Sequence, residues 1–379
     1  MVDGHVRAAE MVRPRIKSQF VPYVTVDGAV RIGTDVHGVG AEIENPGGWV
    51  WALICGLDGT RSPGEVLTAV TAGHPDVSRA TAATVLQQLL DEGFVEDAGA
   101  APPSQLSERE RERYSRGIAF LNWIDRTARS GPWDIQVRLS RSRVLLVGLG
   151  GTGSMVGQAL VATGVGYLHC VDADVVELSN LNRQLIYREY DLGKPKVDAA
   201  VAHLRALNSD VEVTGEQRLV ESRDDLAGLL RPGYDLLVLC ADQPRPGIRR
   251  WANRACLAAG TPWVTGGYYG PLASAGVYAP RRGACWECLH EHEAEQADMR
   301  LPDGMSLNAL RPVFPWHPVN AVSAAVTGNL LAHAALALLT GAPPVEPGFR
   351  YGVNLALLGE PVLERHPRRP DCPACGDTA

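Results

Sequence analysis

The 379-residue sequence lacks an excess of positive charge, a hydrophobic segment at its start, and any repeat or low-complexity stretch. Its 36 Lys and Arg residues are outnumbered by 43 Asp and Glu residues, which gives a net charge of −7. This balance argues against general binding to nucleic acid or to an acidic membrane. The first residues contain no apolar core of a secretory signal, so we expect a cytoplasmic protein.

Long apolar runs are scarce as well. The most apolar one, residues 319–341, contains Asn320, Asn329 and His333, so we predict a buried helix and no membrane span. Hydrophobic residues make up 45% of the chain and charged residues 21%, which is typical of globular proteins. The length is sufficient for two or three domains.

Cysteine occurs at only eight positions, and residues 289–371 contain none. Four cysteines form two Cys-x-x-Cys pairs, and we predict that they hold one structural zinc ion: Cys285, Cys288, Cys372 and Cys375. Four thiolates leave no position for water on the ion, which indicates a structural role. The alternative to metal binding is that these cysteines form disulfides or a redox pair. The other four lie in apolar runs and are expected in the core: Cys55, Cys170, Cys240 and Cys256.

The patterns predict three regions along the chain. Residues 14–97 contain short strands around an Asp-Gly turn, followed by three helices, which predicts a small winged-helix-like α+β domain. Residues 98–142 read as a linker and a charged helical segment. In residues 143–379, apolar strands alternate with helices, which is typical of a doubly wound, mostly parallel Rossmann-like sheet. The predicted strands of this sheet are 143–147, 166–171, 234–239 and 261–265.

A glycine-rich loop joins the first of these strands to a helix and contains Gly148, Gly150, Gly151 and Gly153. Glycine lets the backbone approach a phosphate, and the helix N-terminus supplies amide donors and a positive dipole end. Asp172 follows at the end of the second strand, where a carboxylate suits a ribose hydroxyl. These residues predict a nucleotide site and leave a dinucleotide and a mononucleotide equally open.

A polar cluster after the second strand separates the two nucleotide types. Its members are Ser179, Asn180, Asn182, Arg183 and Lys196. A hydride-transfer enzyme has no need of such a cluster, whereas a reaction at a triphosphate must neutralise the charge of departing pyrophosphate. The alternative for Arg183 and Lys196 is a solvated charge at a helix end, but the cluster shares one strand–helix–strand unit with the glycine loop.

With these motifs, the stretch from about residue 113 to residue 376 resembles the ThiF/MoeB family, whose adenylating fold is shared with ubiquitin-activating enzymes. The resemblance implies that ATP binds at the glycine loop, at Asp172 and at the polar cluster. It also implies that Asp242 is the magnesium-linked catalytic aspartate, although Gln243 follows it where the family usually has Asn. A helix cap is the alternative role for Asp242.

One more site residue follows from the resemblance. The segment Arg113-Tyr-Ser-Arg116 is similar to an Arg-Tyr-x-Arg segment of the family, in which the second arginine reaches the nucleotide of the neighbouring subunit. Arg116 is therefore expected to act in trans in a homodimer, and its alternative role is a charge on a helix surface. The predicted catalytic set is Asp242, Arg116, Arg183 and Lys196.

Residues 14–97 resemble PqqD-like domains, which bind the leader peptides of ribosomally made natural products. Four motifs support this: Arg13-Pro-Arg15, Trp49-Val-Trp51, Leu57-Asp-Gly-Thr60 and Leu90-Asp-Glu-Gly-Phe-Val95. The resemblance implies that an extended leader adds a strand to a sheet edge near residues 40–44, with Leu86 and Leu90 facing it. A fold-stabilising or dimerising module is the alternative.

Together, these features predict an ATP-dependent adenylyltransferase that activates a carboxylate of a precursor peptide. Relatives that pass their product to a thioester or persulfide use a cysteine after the first metal pair, and residues 289–371 contain none. We therefore expect another nucleophile to trap the adenylate, or direct transfer. The alternatives are a catalytically silent protein that delivers a leader-bearing peptide, a nicotinamide dehydrogenase, and an activator of a small sulfur-carrier protein.

Overall fold

The structure is a computed structural model, which describes residues 6–377 apart from 34–35, 37, 245–246, 297–301, 303–304 and 306–317. The chain divides into two compact units. The first comprises Met1–Leu139 and Thr340–Val345, and the second comprises Ser140–Leu339 and Glu346–Ala379.

In its described residues, the first unit contains two small antiparallel sheets and five α-helices. Its strands are β1 (Pro14–Ile16), β2 (Tyr23–Val24), β3 (Val30–Ile32), β4 (Ala41–Ile43) and β5 (Val95–Asp97). Strand β1 pairs with β5, and the other three form a sheet in the order β2-β3-β4. The helices are α1 (Trp49–Gly56), α2 (Pro63–Gly73), α3 (Arg79–Asp91), α4 (Glu108–Ile124) and α5 (Asp134–Ser140). The predicted hairpin and the three helices after it are confirmed.

The core of the first unit corrects two expectations. Leu86 and Leu90 of α3 are 1% and 0% exposed and belong to the hydrophobic core, so they do not face a bound peptide. Helical spacing identified them as apolar but could not tell which neighbour covers that face. Cys55 is exposed and not a core residue, because α1 is short and apolar on nearly all sides while only one side of it is buried.

A buried charge cluster holds the segment after α4 against the N-terminal strands. Lys17 is 2% exposed, and its Nζ donates to the backbone oxygens of Asn122 and Asp125 at 3.2 and 3.1 Å. The fully buried carboxylate of Asp125 accepts from Arg129 Nε at 2.8 Å and from Thr127 Oγ1 at 2.6 Å. Residues 122–129 are thus part of the first unit.

Replacement of Asp125 by Ala is expected to destabilise the first unit by about 3–5 kcal/mol, because it leaves the buried Lys17 and the Arg129 guanidinium without their counter-charge. Urea unfolding followed by circular dichroism measures this change. A matched Asp134→Ala variant controls for the loss of a half-buried carboxylate that accepts from the backbone nitrogens of Ser130 and Gly131. A loss for Asp125→Ala no larger than that of the control would contradict the expectation.

The second unit is built on an eight-stranded sheet. Its strands are β6 (Arg143–Val147), β7 (Tyr167–Asp172), β8 (Glu212–Gln217), β9 (Leu236–Leu239), β10 (Trp263–Tyr269), β11 (Leu272–Tyr278), β12 (Phe349–Asn354) and β13 (Pro361–Arg365). They lie in the order β13-β12-β11-β10-β9-β6-β7-β8. The five strands from β10 to β8 are parallel, and β11 to β13 extend the sheet antiparallel. The predicted fold class is confirmed.

Among the described residues, six α-helices accompany this sheet: α6 (Gly151–Thr163), α7 (Lys196–Leu207), α8 (Arg223–Leu230), α9 (Gly247–Ala259), α10 (Trp286–Gln296) and α11 (Ala321–Thr340). Helix α11 is long and apolar enough to cross a membrane, yet 56% of its most apolar window is buried inside the protein. A Cβ at Gly328 would lie 2.5 Å from Met155 Cβ of α6, so the two helices pack closely. This packing agrees with the prediction of a buried helix.

Candidate functional site

The glycine loop is shaped by two glycines that admit no side chain. Gly148 has φ +95°, and a Cβ there would lie 2.5 Å from the backbone nitrogen of Ala241. A Cβ at Gly153 would lie 1.8 Å from the Gly148 carbonyl oxygen. Strand β6 therefore turns sharply into α6, and the N-terminus of α6 lies at the carboxyl end of the parallel strands. A phosphate bound there would receive backbone N–H groups and the positive end of the helix dipole.

A cleft of about 410 Å³ opens beside this loop. Strand β6 lies between β7 and β9, and the chain continues from β6 to β7 on one side and returns to β9 on the other. Doubly wound sheets bind ligands at such a switch point, and the cleft lies there. The predicted site residues that line it are Gly148, Gly150, Gly151, Asp172, Arg183, Lys196 and Asp242. Gly153 lies inside α6 beneath the loop. The structure thus brings most of the predicted site together.

Asp172 is fixed at the end of β7 by two backbone donors. Its Oδ2 accepts from Leu149 N at 2.6 Å, and its Oδ1 accepts from Asp174 N at 2.8 Å. Burial raises the pKa of this carboxyl, and the nearby Lys196 ammonium acts in the opposite direction. The carboxylate is held rigidly beside the glycine loop, as binding of a ribose would require.

Lys196 begins α7 and is only 5% exposed. Its Nζ lies 2.8 Å from Oδ2 of Asp174, a residue that sequence reasoning missed although it follows Asp172 by two positions. Asp174 is exposed, so a phosphate entering the cleft would compete with a solvated carboxylate for the ammonium. Lys196 is therefore held in place before any ligand binds.

Arg183 is oriented by the polar cluster around it. Its Nη1 donates to Ser179 O at 2.8 Å and to Asn182 Oδ1 at 3.0 Å. The buried Asn180 accepts from Glu177 N at 3.1 Å and shapes the turn. Ser179, Asn180 and Asn182 are not among the described residues that line the cleft, and their direct contact with a nucleotide stays a prediction.

Gln184 directly follows Arg183, and sequence reasoning missed it. It lines the cleft and is 2% exposed, and its buried Oε1 has no hydrogen-bond partner among the described residues. A buried acceptor without a donor is costly, and a hydroxyl or amine of a bound nucleotide would satisfy it. The cleft therefore fits a nucleotide at a position where the protein itself leaves a hydrogen bond unmade.

Asp242 and Arg116 lie in different units. Asp242 follows β9 and lines the cleft, and its catalytic role stays a prediction. Arg116 is exposed on α4 of the first unit, and its action on a neighbouring subunit stays a prediction. Sequence reasoning also missed three cleft residues that no motif marks: Arg218, Arg249 and Tyr268.

The four paired cysteines come together as predicted. The Sγ atom of Cys285 lies 3.8 Å from that of Cys288 and 3.7 Å from that of Cys372, and Cys288 Sγ lies 3.5 Å from Cys375 Sγ. All four sulfurs lie within 4.8 Å of one another. Zinc–sulfur bonds of about 2.3 Å in a tetrahedron place sulfurs about 3.8 Å apart, so the cluster fits zinc.

The surroundings of these cysteines also suit a cation. Asn253 Nδ2 and Arg369 N each donate to a cysteine sulfur at 3.5 Å. Burial raises the pKa of Cys288 to about 11, so a bound metal is what would stabilise its thiolate. The neighbouring Glu287 is 1% exposed and accepts from Asn253 and Arg254, which ties the cluster to α9.

We expect purified protein to contain about one zinc ion per chain and the Cys372→Ser variant to lose this ion. The variant should also unfold at a lower temperature, because a structural site contributes its binding energy to folding. Metal analysis and thermal unfolding measure the two effects. The Cys55→Ser variant, which changes an exposed thiol outside the cluster, should keep both zinc and stability. Wild-type protein that has no zinc and four free thiols in the cluster would contradict the site.

The sheet order and the position of the cleft define a Rossmann-like α/β protein with a cleft at its switch point, where such folds bind ligands. The ThiF family model matches residues 114–374, and the chain belongs to the ThiF family. The predicted ThiF/MoeB resemblance is thereby confirmed, whereas the PqqD-like nature of residues 14–97 stays a prediction.

Two curated relatives illustrate the family. Molybdopterin-synthase adenylyltransferase of Escherichia coli K12 is 31% identical over 276 residues, which cover 72% of this chain and 99% of that protein. Adenylyltransferase and sulfurtransferase MOCS3 of Bos taurus is 33% identical over 279 residues, which cover 73% of this chain and 55% of that protein. The chain therefore spans little more than half the length of MOCS3.

Solved structures match more of the chain. E. coli MccB with ATP has a TM-score of 0.70 at 21% identity, and the match covers 96% of this chain and 99% of that chain. E. coli MccB with AMPCPP and MccA has a TM-score of 0.69 at the same identity and coverage. PaaA has a TM-score of 0.63 at 23% identity and covers 92% of this chain. These likenesses show a shared fold that extends beyond the ThiF match into the N-terminal unit.

Proposed function

We propose that the protein is an ATP-dependent adenylyltransferase that activates a carboxylate of a leader-bearing precursor peptide. The observation that carries this proposal is the cleft, where the glycine loop, Asp172, Arg183, Lys196 and Asp242 meet. Such a set suits a reaction at the α-phosphorus of ATP, because it pairs a ribose-binding carboxylate with cations for the phosphates. The family relatives named adenylyltransferases and the ATP-bound MccB structure support ATP as the substrate.

In the proposed reaction, a carboxylate oxygen of the peptide attacks the α-phosphorus, and pyrophosphate leaves with the electron pair of the broken bond. Lys196 and Arg183 offset the negative charge that develops on the leaving group. Asp242 is the residue that would hold magnesium, which supplies further charge neutralisation when bound. Carboxylates are weak nucleophiles, so positioning in the cleft contributes much of the acceleration.

The positions of the cysteines limit which nucleophile can trap the adenylate. Of the eight, only Cys240 lines the cleft in the part of the chain that the structure describes. Burial raises the pKa of its thiol to about 12, so it is protonated at neutral pH and a poor nucleophile. This supports trapping of the adenylate by a group of the peptide or of a second protein.

The peptide substrate is supported by the N-terminal unit. The ThiF match begins at residue 114, whereas the match to MccB covers 96% of the chain, and MccB structures contain the peptide MccA. In this unit the sheet β2-β3-β4 ends at β4, whose outer edge is unpaired among the described strands. An extended leader peptide can add a strand at such an edge. A homodimer in which Arg116 acts in trans is part of the proposal.

The second candidate function is activation of a small sulfur-carrier protein, which the molybdopterin-synthase adenylyltransferase and MOCS3 relatives favour. Both candidates begin with adenylation of a carboxylate, so they differ in the substrate and not in the cleft. The lack of cysteine in residues 289–371 and the additional N-terminal unit count against the carrier.

Exchange of labelled pyrophosphate into ATP tests the proposal and separates the two candidates. The assay uses short peptides encoded beside the gene, purified sulfur-carrier proteins that end in Gly-Gly, and no acceptor. We expect exchange with a precursor peptide and none with a carrier or without an acceptor. Exchange only with a carrier would favour the second candidate, and no exchange with any acceptor would contradict an adenylyltransferase.

A further inference from the structure

The cleft contains an arginine that the reaction described above does not use. Arg249 lies in the first turn of α9, lines the cleft and is half-buried. Cys240, just past the end of β9, lines the same cleft, and the charge of Arg249 opposes the rise that burial causes in the pKa of its thiol. The cleft therefore has a cation on the side of Asp242, in addition to Lys196.

The sheet order separates these two cations. Lys196 pairs with Asp174, just past the end of β7, whereas Arg249 Nη2 lies 3.5 Å from where a Cβ on Gly267 of β10 would be. Strands β7 and β10 are three strand spacings apart, about 14 Å, with the glycine loop of β6 between them. A nucleotide with its ribose at Asp172 and its phosphates at the loop leaves the β10 side to the second substrate.

The wall opposite Arg249 is open because β10 has two adjacent glycines there. A Cβ on Gly266 would lie 2.2 Å from Ser274 O, so this position requires glycine. Among the described residues, only Arg249 Nη2 would lie within 4 Å of a Cβ on Gly267, at 3.5 Å. The absence of a side chain at Gly267 thus leaves one side of the guanidinium accessible from the cleft.

We propose that Arg249 binds the substrate carboxylate and aims it at the α-phosphorus. This inference rests on the proposed function and adds a residue to it. A guanidinium matches a carboxylate in charge and in planar geometry. It holds one carboxylate oxygen while the other forms the new oxygen–phosphorus bond, the bond from the α-phosphorus to the bridging oxygen breaks, and pyrophosphate leaves with its electron pair. No proton is transferred in this step.

Three variants test the assignment. Arg249→Lys keeps the charge but loses the planar donor pair, Gly267→Val covers the guanidinium, and Arg223→Lys on the exposed start of α8 is the matched control. The probe is an equimolar pool of synthetic tripeptides with free carboxyl ends, and the same pool with amidated ends is the negative control. ATP-dependent AMP release gives KM and kcat for the pool, calorimetry gives the Kd of AMPCPP, and circular dichroism checks the fold.

We expect both site variants to raise KM for the free-carboxyl pool about tenfold or more and to leave the Kd of AMPCPP within about twofold. The control should match wild type. Wild-type turnover by both site variants would overturn the role of Arg249 and leave the proposed function intact. A rise in the Kd of AMPCPP as large as the rise in KM would also overturn this role, since Arg249 would then belong to the nucleotide site. If wild type released AMP with neither the pool nor a precursor peptide, the proposed function and this inference would fail together.

Discussion

Replacement of Asp242 by Asn is expected to lower kcat for peptide-dependent AMP release by about 10² or more, with the fold unchanged. The carboxylate lies at the cleft beside the glycine loop, and an amide of the same size cannot supply its negative charge to a cation that stabilises departing pyrophosphate. Asp242 is only half-buried, so the loss of its charge should cost little stability.

The measurement is steady-state AMP release at saturating ATP, with circular dichroism to verify the fold. Asp224→Asn is the matched control, because Asp224 is an exposed carboxylate on α8 outside the cleft. The control should retain wild-type kcat. An Asp242→Asn variant with undiminished kcat would remove this residue from the chemistry and return it to a structural role.

The second large effect is expected at the outer edge of β4. Thr25 N donates to Ala29 O at 2.9 Å, so these two residues form a hydrogen-bonded pair next to the β2–β3 ladder. Hydrogen-bonded pairs occur at every second position of an antiparallel ladder. The pair two positions further along is Tyr23 and Arg31, so the main-chain groups of Arg31 bond to β2. Its neighbours in β3 then bond towards β4, and Glu42, which lies opposite Arg31, directs its N–H and C=O to the open edge. Glu42 is therefore the residue of β4 with main-chain groups available to a leader.

The Glu42→Pro variant removes this donor without breaking the β3–β4 ladder, since proline is tolerated at edge strands. We expect KM for a full-length precursor to rise about tenfold or more, the equivalent of one lost main-chain hydrogen bond, while KM for the short core peptide stays unchanged. The Glu42→Ala variant keeps the N–H and should resemble wild type. Equal effects of Glu42→Pro on long and short substrates would contradict leader docking at β4.

Buried features were accessible from the sequence because burial leaves a strong pattern. Strand β9 is wholly buried and reads as an unbroken apolar run, as expected of a central parallel strand. The glycine loop was recognised because close backbone contacts at Gly148 and Gly153 require glycine. The four metal-site cysteines were recognised because their spacing alone suits a tetrahedral ion.

Features that depend on residues distant in the sequence could not be predicted from the sequence. Strand β8 is the polar edge of the sheet and shows no apolar run, and β13 is largely exposed on the opposite edge. The ion pair of Lys196 with Asp174 forms across a loop of some twenty residues. Arg249 belongs to no motif, and only its position in the cleft beside Gly267 of β10 reveals that it reaches the site.

The central claim is that a peptide carboxylate attacks the α-phosphorus of ATP, and oxygen transfer tests it most directly. A precursor peptide with ¹⁸O-labelled carboxylates is incubated with ATP and the protein, and the AMP formed is examined by mass spectrometry. If the carboxylate attacks and a nucleophile then displaces AMP from the acyl carbon, the AMP contains one ¹⁸O atom. AMP without label, formed in water of natural composition, would show attack by water and would contradict the claim.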